Sequence, residues 1–365
     1  MQLTELISTK KLLGISREIE DIRAIPTDLL GLKRTAIRNA EDGDVMARVS
    51  GRTMAADIVA DDAKATIKSK PAVRLTEAHI PNIKGGRALN QSEVGLLMRI
   101  VNQGGAPSDL DSVRGYIVDL VDDAIRGVQV RTNQIIVGMW IDSFSYDANG
   151  YKVSNLSWGM PSDLKVTPAN LWTDATNGKP ITDVMALIEL GRTKYGRVYD
   201  RVTMSTTALN NMVATTQFQA QAQTFTSLAF PAGGFPVAMA TRIELAGRIL
   251  GVDVEIYDDT FDNENNDGTV TSTRFLPVNK VVLSSKADDN NPRVMDFANA
   301  FVTESIIGAI KPQNSGIVGG FDSPVRGPVP YAEVTMNPPQ AEIWAVRRGF
   351  ARKHVETATA VLTVA

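Results

Sequence analysis

The sequence predicts an α+β fold, and three observations carry that prediction. Residues 167–286 alternate helical and strand-like stretches. A long amphipathic helix opens near residue 108, with apolar positions spaced three and four apart. Residues 43–89 are polar and small and contain no Phe, Tyr or Trp, so they make a thin excursion instead of a core. The chain has 365 residues, which suggests two or three domains, and 43% of them are hydrophobic, which is ample for a buried core.

In chain order, residues 1–42 read as short helical pieces. Leu3, Leu6 and Ile7 form one apolar face, and "LLGISREIEDIRAIP" stops at Pro26, so this is an arm and not a domain. In the excursion, "VMARV" and "AVRLTEAHI" lean towards strand. A segment this poor in bulky groups cannot offset its ordering entropy alone, so two strands lying on another surface are expected. Asn90 and Glu93 form a capping box for "QSEVGLLMRIV", which ends at Gly104-Gly105. Ser108 and Asp111 form a second box. The helix it opens carries Val113, Ile117, Leu120, Val121, Ala124, Ile125 and Val128 on one side, and Asp119, Asp122, Asp123 and Arg126 on the other. It is expected to run about 25 residues, over 108–133. "MWIDSFSYDANGYKVSNLSWG" reads as a hairpin with Asn149-Gly150 at its tip.

Further on, "ITDVMALIELGRTKYG" is a helix, "RVYDRVTMS" a strand, and "TTALNNMVAT" a helix capped by Ser205 or Thr206. "ATRIELAGRILG" is a helix ending at Gly251, and "VDVEIYDD", "TSTRFLP" and "NKVVLSS" are strands. From residue 287 the chain is strand-like and irregular, with "AEIWAVRR" and "TATAVLTVA" its clearest strands.

Composition excludes several chemistries. There is no cysteine, hence no disulfide, thiolate nucleophile or iron–sulfur cluster. With only His79 and His354, a histidine-rich metal site is excluded. The net charge of -3 gives no global basic footprint for reading nucleic acid. "MQLTELISTKK" lacks the apolar core of a signal peptide, and no run of 18 apolar residues is present, so the protein is expected to be made in the cytosol with no membrane segment.

Two stretches imitate binding motifs. "GRTKYGRV" (191–198) places Gly191 and Gly196 at P-loop spacing, but Arg197 and Val198 stand where the lysine and hydroxyl belong. A helix also precedes the glycines and a strand follows, so Gly196 is expected to cap a helix C-terminus, an end that repels phosphate. "DNENNDGTVTSTRF" (262–275) imitates a calcium loop through Asn263, Asn265, Asp267 and Gly268, but has Arg274 where a bidentate glutamate is required. A polar hairpin loop is the expectation. The basic clusters "KSK" (68–70), "RR" (347–348) and "RKH" (352–354) read as solvated faces or interface pairs. Asp122-Asp123 and Asp258-Asp259 are adjacent and point apart, so neither forms an acid/base pair. No catalytic, cofactor-binding or metal-binding residue is assigned.

The order of parts resembles the major capsid protein E family of tailed bacteriophages, the lambda-type shell proteins with the Hong Kong 97-type fold. Three stretches carry the likeness: "KPITDVMALIELGRTKYGRVYDRVTMSTTALNNM" (179–212), "AGRILGVDVEIYDD" with "FLPVNKVVLSS" (246–259 and 275–285), and "NPPQAEIWAVRRGFARKHVETATAVLTV" (337–364). The resemblance implies an N-arm (1–42), an E-loop (43–89), a peripheral domain (90–166 and 287–365) built around a spine helix at 108–133, and an axial domain (167–286). It further implies a non-enzymatic shell protein without cofactors. Such a protein assembles in the host cytoplasm into hexamers and pentamers of an icosahedral virion head around double-stranded DNA, which it touches non-specifically. A separate scaffold is expected, since no large fused segment precedes the E-loop, together with a portal and a decoration protein. Encapsulin shells, which share the fold and enclose enzyme cargo, are the alternative. A phosphate-handling enzyme is the remote one, supported only by the two glycines.

Overall fold

The structure, a computed structural model, describes residues 12, 29–39, 43–48, 73–78, 80–89, 91–102, 107–148, 151–226, 238–264, 269–302, 315–317, 325–336 and 339–365. It begins with α1 (Leu30–Arg34) and β1 (Ala36–Asn39), then the ladder of β2 (Gly43–Arg48) and β3 (Val73–Ala78), β4 (Asn82–Leu89), α2 (Gln91–Asn102) and α3 (Pro107–Ile141). The hairpin β5 (Phe144–Ala148) and β6 (Tyr151–Leu156) and the short β7 (Lys165–Val166) lead to α4 (Pro180–Leu190), β8 (Arg201–Met204), α5 (Thr206–Ala214), α6 (Thr216–Thr226), α7 (Met239–Leu250) and β9 (Asp253–Ile256). A second hairpin, β10 (Thr260–Glu264) and β11 (Val270–Arg274), precedes β12 (Lys280–Ser284), β13 (Met295–Asn299), β14 (Phe301–Val302), β15 (Ser315–Ile317) and β16 (Val325–Arg326). The last strands are β17 (Val329–Met336), β18 (Pro339–Lys353) and β19 (Ala360–Thr363).

Two sheets organise these parts. The first runs β1-β13-β18-β17-β15, with β4 also paired to β18. Its axis is β18: residues 341–346 lie antiparallel between β17 and β4, 347–348 pair with β4, and 349–353 turn to β13. Residues 82–89 of the predicted excursion are thus members of this sheet, whereas β2 and β3 pair only with each other among the described strands. The second sheet runs β7-β19-β12-β8-β9. Its central strand β12 is buried on both faces, at Val281, Val282, Leu283 and Ser284. The helices α4 to α7 pack against one another and onto one continuous hydrophobic core that also takes in α3.

Local chemistry explains where the elements stop. Ser205 caps α5, its Oγ accepting from the Ala208 N–H at 3.1 Å, and the Asp258 carboxylate accepts the Thr206 N–H at 3.1 Å. Pro180 opens α4, and Gly251 closes α7 with φ 66°. The long helix α3 spans 35 residues, not the shorter 108–133 predicted, and takes in Met139-Trp140, which the sequence reading placed in the hairpin. The reason is burial: Ile135, Ile136, Val137, Met139 and Trp140 are all enclosed, so the helical stripe dissolves into an unbroken apolar run. The helix stops at Asp142, which adopts φ 55°. The Asp142 carboxylate accepts from Trp158 N at 2.6 Å and Ser157 Oγ at 2.7 Å and pairs with Lys165, tying the return loop to the helix end.

Residues 29–39 are fastened at a buried polar junction. Asn133 of α3 accepts from Leu32 N at 3.2 Å and donates to the Tyr257 hydroxyl at 2.8 Å. Gly31 permits this approach, since a Cβ there would lie 2.5 Å from Asn133 Oδ1. Arg34 then pairs with Glu255 and donates to Thr203 Oγ1 at 3.1 Å in the second sheet, while β1 runs parallel to β13 in the first. The arm was expected to hold only helical pieces. The strand it adds is four residues long and exposed apart from Ala36, too little for periodicity to reveal.

Candidate functional site

The two P-loop-like glycines end a helix, as expected. Helix α4 runs into a wide turn over 191–195, and Gly196 follows with φ 65° and ψ 28°. The Arg197 N–H donates to the Gly191 carbonyl at 2.9 Å, closing the helix end. Gly191 lies flat against the Tyr199 ring, where a Cβ would collide. The local cations are engaged: Arg192 with Glu189, Lys194 with Asp163, and Arg197 with Asp288. The turn therefore offers phosphate a carbonyl-rich helix end and cations already neutralised. An alanine at position 196 would sit in the left-handed region, so Gly196→Ala is expected to destabilise the folded chain by about 1 kcal/mol in denaturant titration. Magnesium ATP is expected to leave the melting temperature of either protein unchanged.

The calcium-like stretch straddles β10 and β11, which form an antiparallel hairpin, and residues 265–268 lie outside the described residues. Asn263 Oδ1 accepts from Arg131 at 2.8 Å, and Arg274 pairs with Asp258. A would-be ligand and the would-be bidentate position are thus both spent on protein contacts. Isothermal titration with calcium is expected to give no stoichiometric heat; a one-to-one isotherm would overturn this. Among the described residues no cluster of three or more metal-ligating side chains occurs.

The Asp122-Asp123 carboxylates do point apart. Asp122 is buried and accepts from Arg126 at 3.0 Å, while Asp123 is exposed and lies 3.9 Å from Arg87. His79 and the 68–70 cluster fall outside the described residues, as do Asn90, Gly104-Gly105 and the Asn149-Gly150 tip. In the two C-terminal basic clusters the expectation of a solvated face is corrected at Arg347 and Lys353, which are buried, while Arg348, Arg352 and His354 are half-buried. Arg347 is buried over the Phe297 ring, 4.5 Å from its centroid. Arg352 donates to both oxygens of the fully buried Asp296, at 2.9 and 2.6 Å, and His354 Nε2 lies 3.3 Å from Asp296 Oδ1. Burial by itself would raise the Asp296 pKa, but the bonds from His354 and Arg352 outweigh it and hold the carboxyl below its usual range. Lys353 is 2% exposed, donating to Thr359 Oγ1 at 2.8 Å, and burial lowers its pKa to about 7. Arg347 and Lys353 lie inside because β18 runs through the middle of the first sheet, flanked by β4, β17 and β13.

One cleft of about 840 Å3 lies along β9 and α7. Its cations Arg34, Arg248 and Lys286 are paired with its own Glu255, Glu244 and Asp253, and Arg201 with the nearby Asp289. A neutralised lining offers no field for an anionic substrate. What remains as a functional feature is surface, above all the β2–β3 ladder. Six residue pairs from Gly43↔Ala78 to Arg48↔Val73 form a two-stranded ladder that, among the described strands, pairs with neither large sheet.

Comparison with known proteins places this architecture. A family model described as "Phage major capsid protein E" matches residues 24–297, well over half of the chain. The chain belongs to that family. It is a phage major capsid protein: a structural component of the virion capsid that assembles with copies of itself into a shell, and not an enzyme. The capsid protein's fold is similar to that of a putative capsid protein of a prophage from E. coli CFT073, with 11% identity, TM-score 0.54, and coverage of 98% of this chain and 99% of that one. A phage-related protein from Bordetella bronchiseptica RB50 is similar at 12% identity and TM-score 0.51, covering 98% and 96%. At such identities the likeness is one of fold, the Hong Kong 97-type capsid fold expected from sequence. An encapsulin from Synechococcus elongatus PCC 7942 is more distant, with 11% identity, TM-score 0.39, and coverage of 95% and 94%. A search of the curated proteins finds no match. Among the described residues, no helix of the capsid protein is long and apolar enough to cross a membrane.

Proposed function

We propose that this capsid protein builds the icosahedral head of a tailed phage, as hexamers and pentamers assembled in the host cytoplasm around packaged double-stranded DNA. In this reading residues 1–42 are the N-arm, 43–89 the E-loop, 90–166 with 287–365 the peripheral domain around the spine helix α3, and 167–286 the axial domain. The observation that carries it is the β2–β3 ladder, which belongs to neither large sheet of its own subunit. An isolated two-stranded ladder is marginal in water, so it gains its cover from a neighbour. A scaffold protein separate from this chain, a portal and a decoration protein complete the proposed partners, and contact with DNA is non-specific.

Two features qualify the division. β4, within 43–89, is hydrogen-bonded into the first sheet, and β19, within 287–365, lies in the second. The E-loop proper is then the part up to β3, and the C-terminal strand belongs structurally to the axial sheet. Negative-stain microscopy of particles from producing cells tests the reading. Closed polyhedral shells with nuclease-protected double-stranded DNA are expected. Shells filled with a folded enzyme would favour the encapsulin alternative, and subunits that never close into particles would overturn both.

A further inference from the structure

Among the described residues, three other than glycine adopt a left-handed backbone: Asp142, Asn155 and Asn290. A side chain makes that conformation costly, so it persists only where the surrounding bonds demand it. Two of the three are explained locally. Asp142 follows the last residue of α3, and the Asn155 N–H donates to Ser145 Oγ at 3.0 Å within its own hairpin. Asn290, with φ 53°, reaches much further. Its backbone N–H donates to the Arg34 carbonyl at 2.8 Å, and its Nδ2 donates to the Lys33 carbonyl at 3.0 Å, across 257 positions of sequence. These are the last two carbonyls of α1, and the final carbonyls of a helix lack partners within it. The left-handed backbone lets one residue reach two successive carbonyls.

The place of this contact gives it weight. Residues 285–294 carry the chain from β12 of the second sheet to β13 of the first, and 354–359 carry it back from β18 to β19. The two crossings meet at the Val294 carbonyl, which accepts from His354 N at 2.9 Å and from Val355 N at 3.2 Å. The first crossing is also tied to the start of β8: Arg201 donates to Asp289 at 3.0 Å, and Asp200 accepts from Lys286 N at 2.7 Å. The arm segment 29–39 makes the same passage alongside. Arg34 holds β8 and β9 through its side chain, and two residues later β1 enters the first sheet beside β13. Asn290 fastens this segment to the first crossing.

We propose that Asn290 is a positioning residue for assembly, clamping the arm segment to the crossing and so holding the two sheets at one angle. This rests on the shell reading above. A shell closes at one size only when its copies repeat a small set of curvatures, which a subunit free to flex between its sheets does not do. Asn290→Ala removes the carboxamide and strains the turn, whereas Asn290→Gly removes the carboxamide but keeps the turn and its N–H bond. In dissociated subunits, trypsin cleavage after Lys33, Arg34 and Arg38 reads local opening of the arm segment. It is expected to be about tenfold faster in Asn290→Ala than in the parent, with Asn290→Gly between them. Cleavage elsewhere and circular dichroism are expected to match the parent in both. In producing cells, Asn290→Ala is expected to give incomplete shells or shells of mixed diameter, and Asn290→Gly to recover most of the parent's single size. Unchanged cleavage of the arm segment in Asn290→Ala would overturn the proposal. So would uniform closed shells from that variant, or cleavage that rises equally along the whole chain, which would make the residue a general support of the fold. The parent separates the two readings: if it forms no closed particles the shell reading fails, while the cleavage rates of the arm segment still report on the clamp.

Discussion

Replacing residues 45–76 with a short Gly-Ser linker is expected to leave folded subunits that build no shell. The cut is placed by the structure. Asp44 and Glu77, which remain at the cut, are cross-strand partners, so a short linker spans them. β1 and β4, on either side, are left in place because both are hydrogen-bonded into the first sheet. Neither large sheet loses a strand, so helical content and cooperative unfolding should persist. An obligate interface buries on the order of 2,000 Å2 or more, and losing much of one leaves no lattice. Sedimentation and microscopy of the variant should show capsomers or single subunits only. In the parent, protease is expected to cut within 45–76 quickly in free subunits and slowly in particles. Intact shells from the linker variant would remove the E-loop assignment; equal cleavage in both states would do the same.

The second large effect concerns Lys353. Its ammonium is buried beside Thr359, and burial lowers its pKa to about 7, against the ordinary 10.5. Between those values the unfolded chain binds a proton that the folded chain does not, so stability rises with pH across the window. Below pH 7 the burial cost is borne in full, and above the unfolded value it vanishes. The difference amounts to roughly 4–5 kcal/mol across the whole window. In Lys353→Met, which keeps the length and apolar stem, this slope should disappear. Chemical denaturation of dissociated subunits at pH 7 and pH 10 is the measurement. Parent stability should climb relative to the variant over that range, and parallel pH profiles would show that the amine is solvated in the folded subunit.

Periodicity made the fold legible wherever one side of an element faces water. Val113 to Val128 of α3, and the ends of α4 and α7 at Gly196 and Gly251, were readable because polar and apolar positions alternate at helical spacing or a glycine must turn left-handed. Legibility failed where both sides are buried or both are bland. Ile135 to Trp140 are enclosed on all sides and look like strand. Helix α6, "TQFQAQAQTFT", is mostly polar, buries Phe218 and Ala222 among its described side chains and offers almost no contrast, so it was not anticipated. The interior basic residues failed for another reason. Nothing local distinguishes Arg347 or Lys353 from surface cations, since their burial comes from β4, β13 and β17 flanking β18, partners far away in sequence. The helix end at Gly196 was legible because element order, helix before glycine and strand after, places a cap there, and the 262–275 stretch read as a hairpin because it lies between two strands and has Arg274 where a glutamate is needed. The assembly role came from the order of parts, not from any one residue.

The placement of β18 and β19 bears on synthesis. β18 holds β13, β17 and β4 together, and β19 stands between β7 and β12. On a ribosome, where the chain emerges from its N-terminal side, neither sheet can close until residues 339–363 have left the exit tunnel. A polypeptide whose translation stops earlier lacks β18, to which β4, β13 and β17 all pair, and β19, which joins β7 to the rest of the second sheet. It remains an open, chaperone-bound or degraded species instead of a defective tile in a growing lattice. The topology thereby inspects each subunit for completeness before it is admitted to the shell.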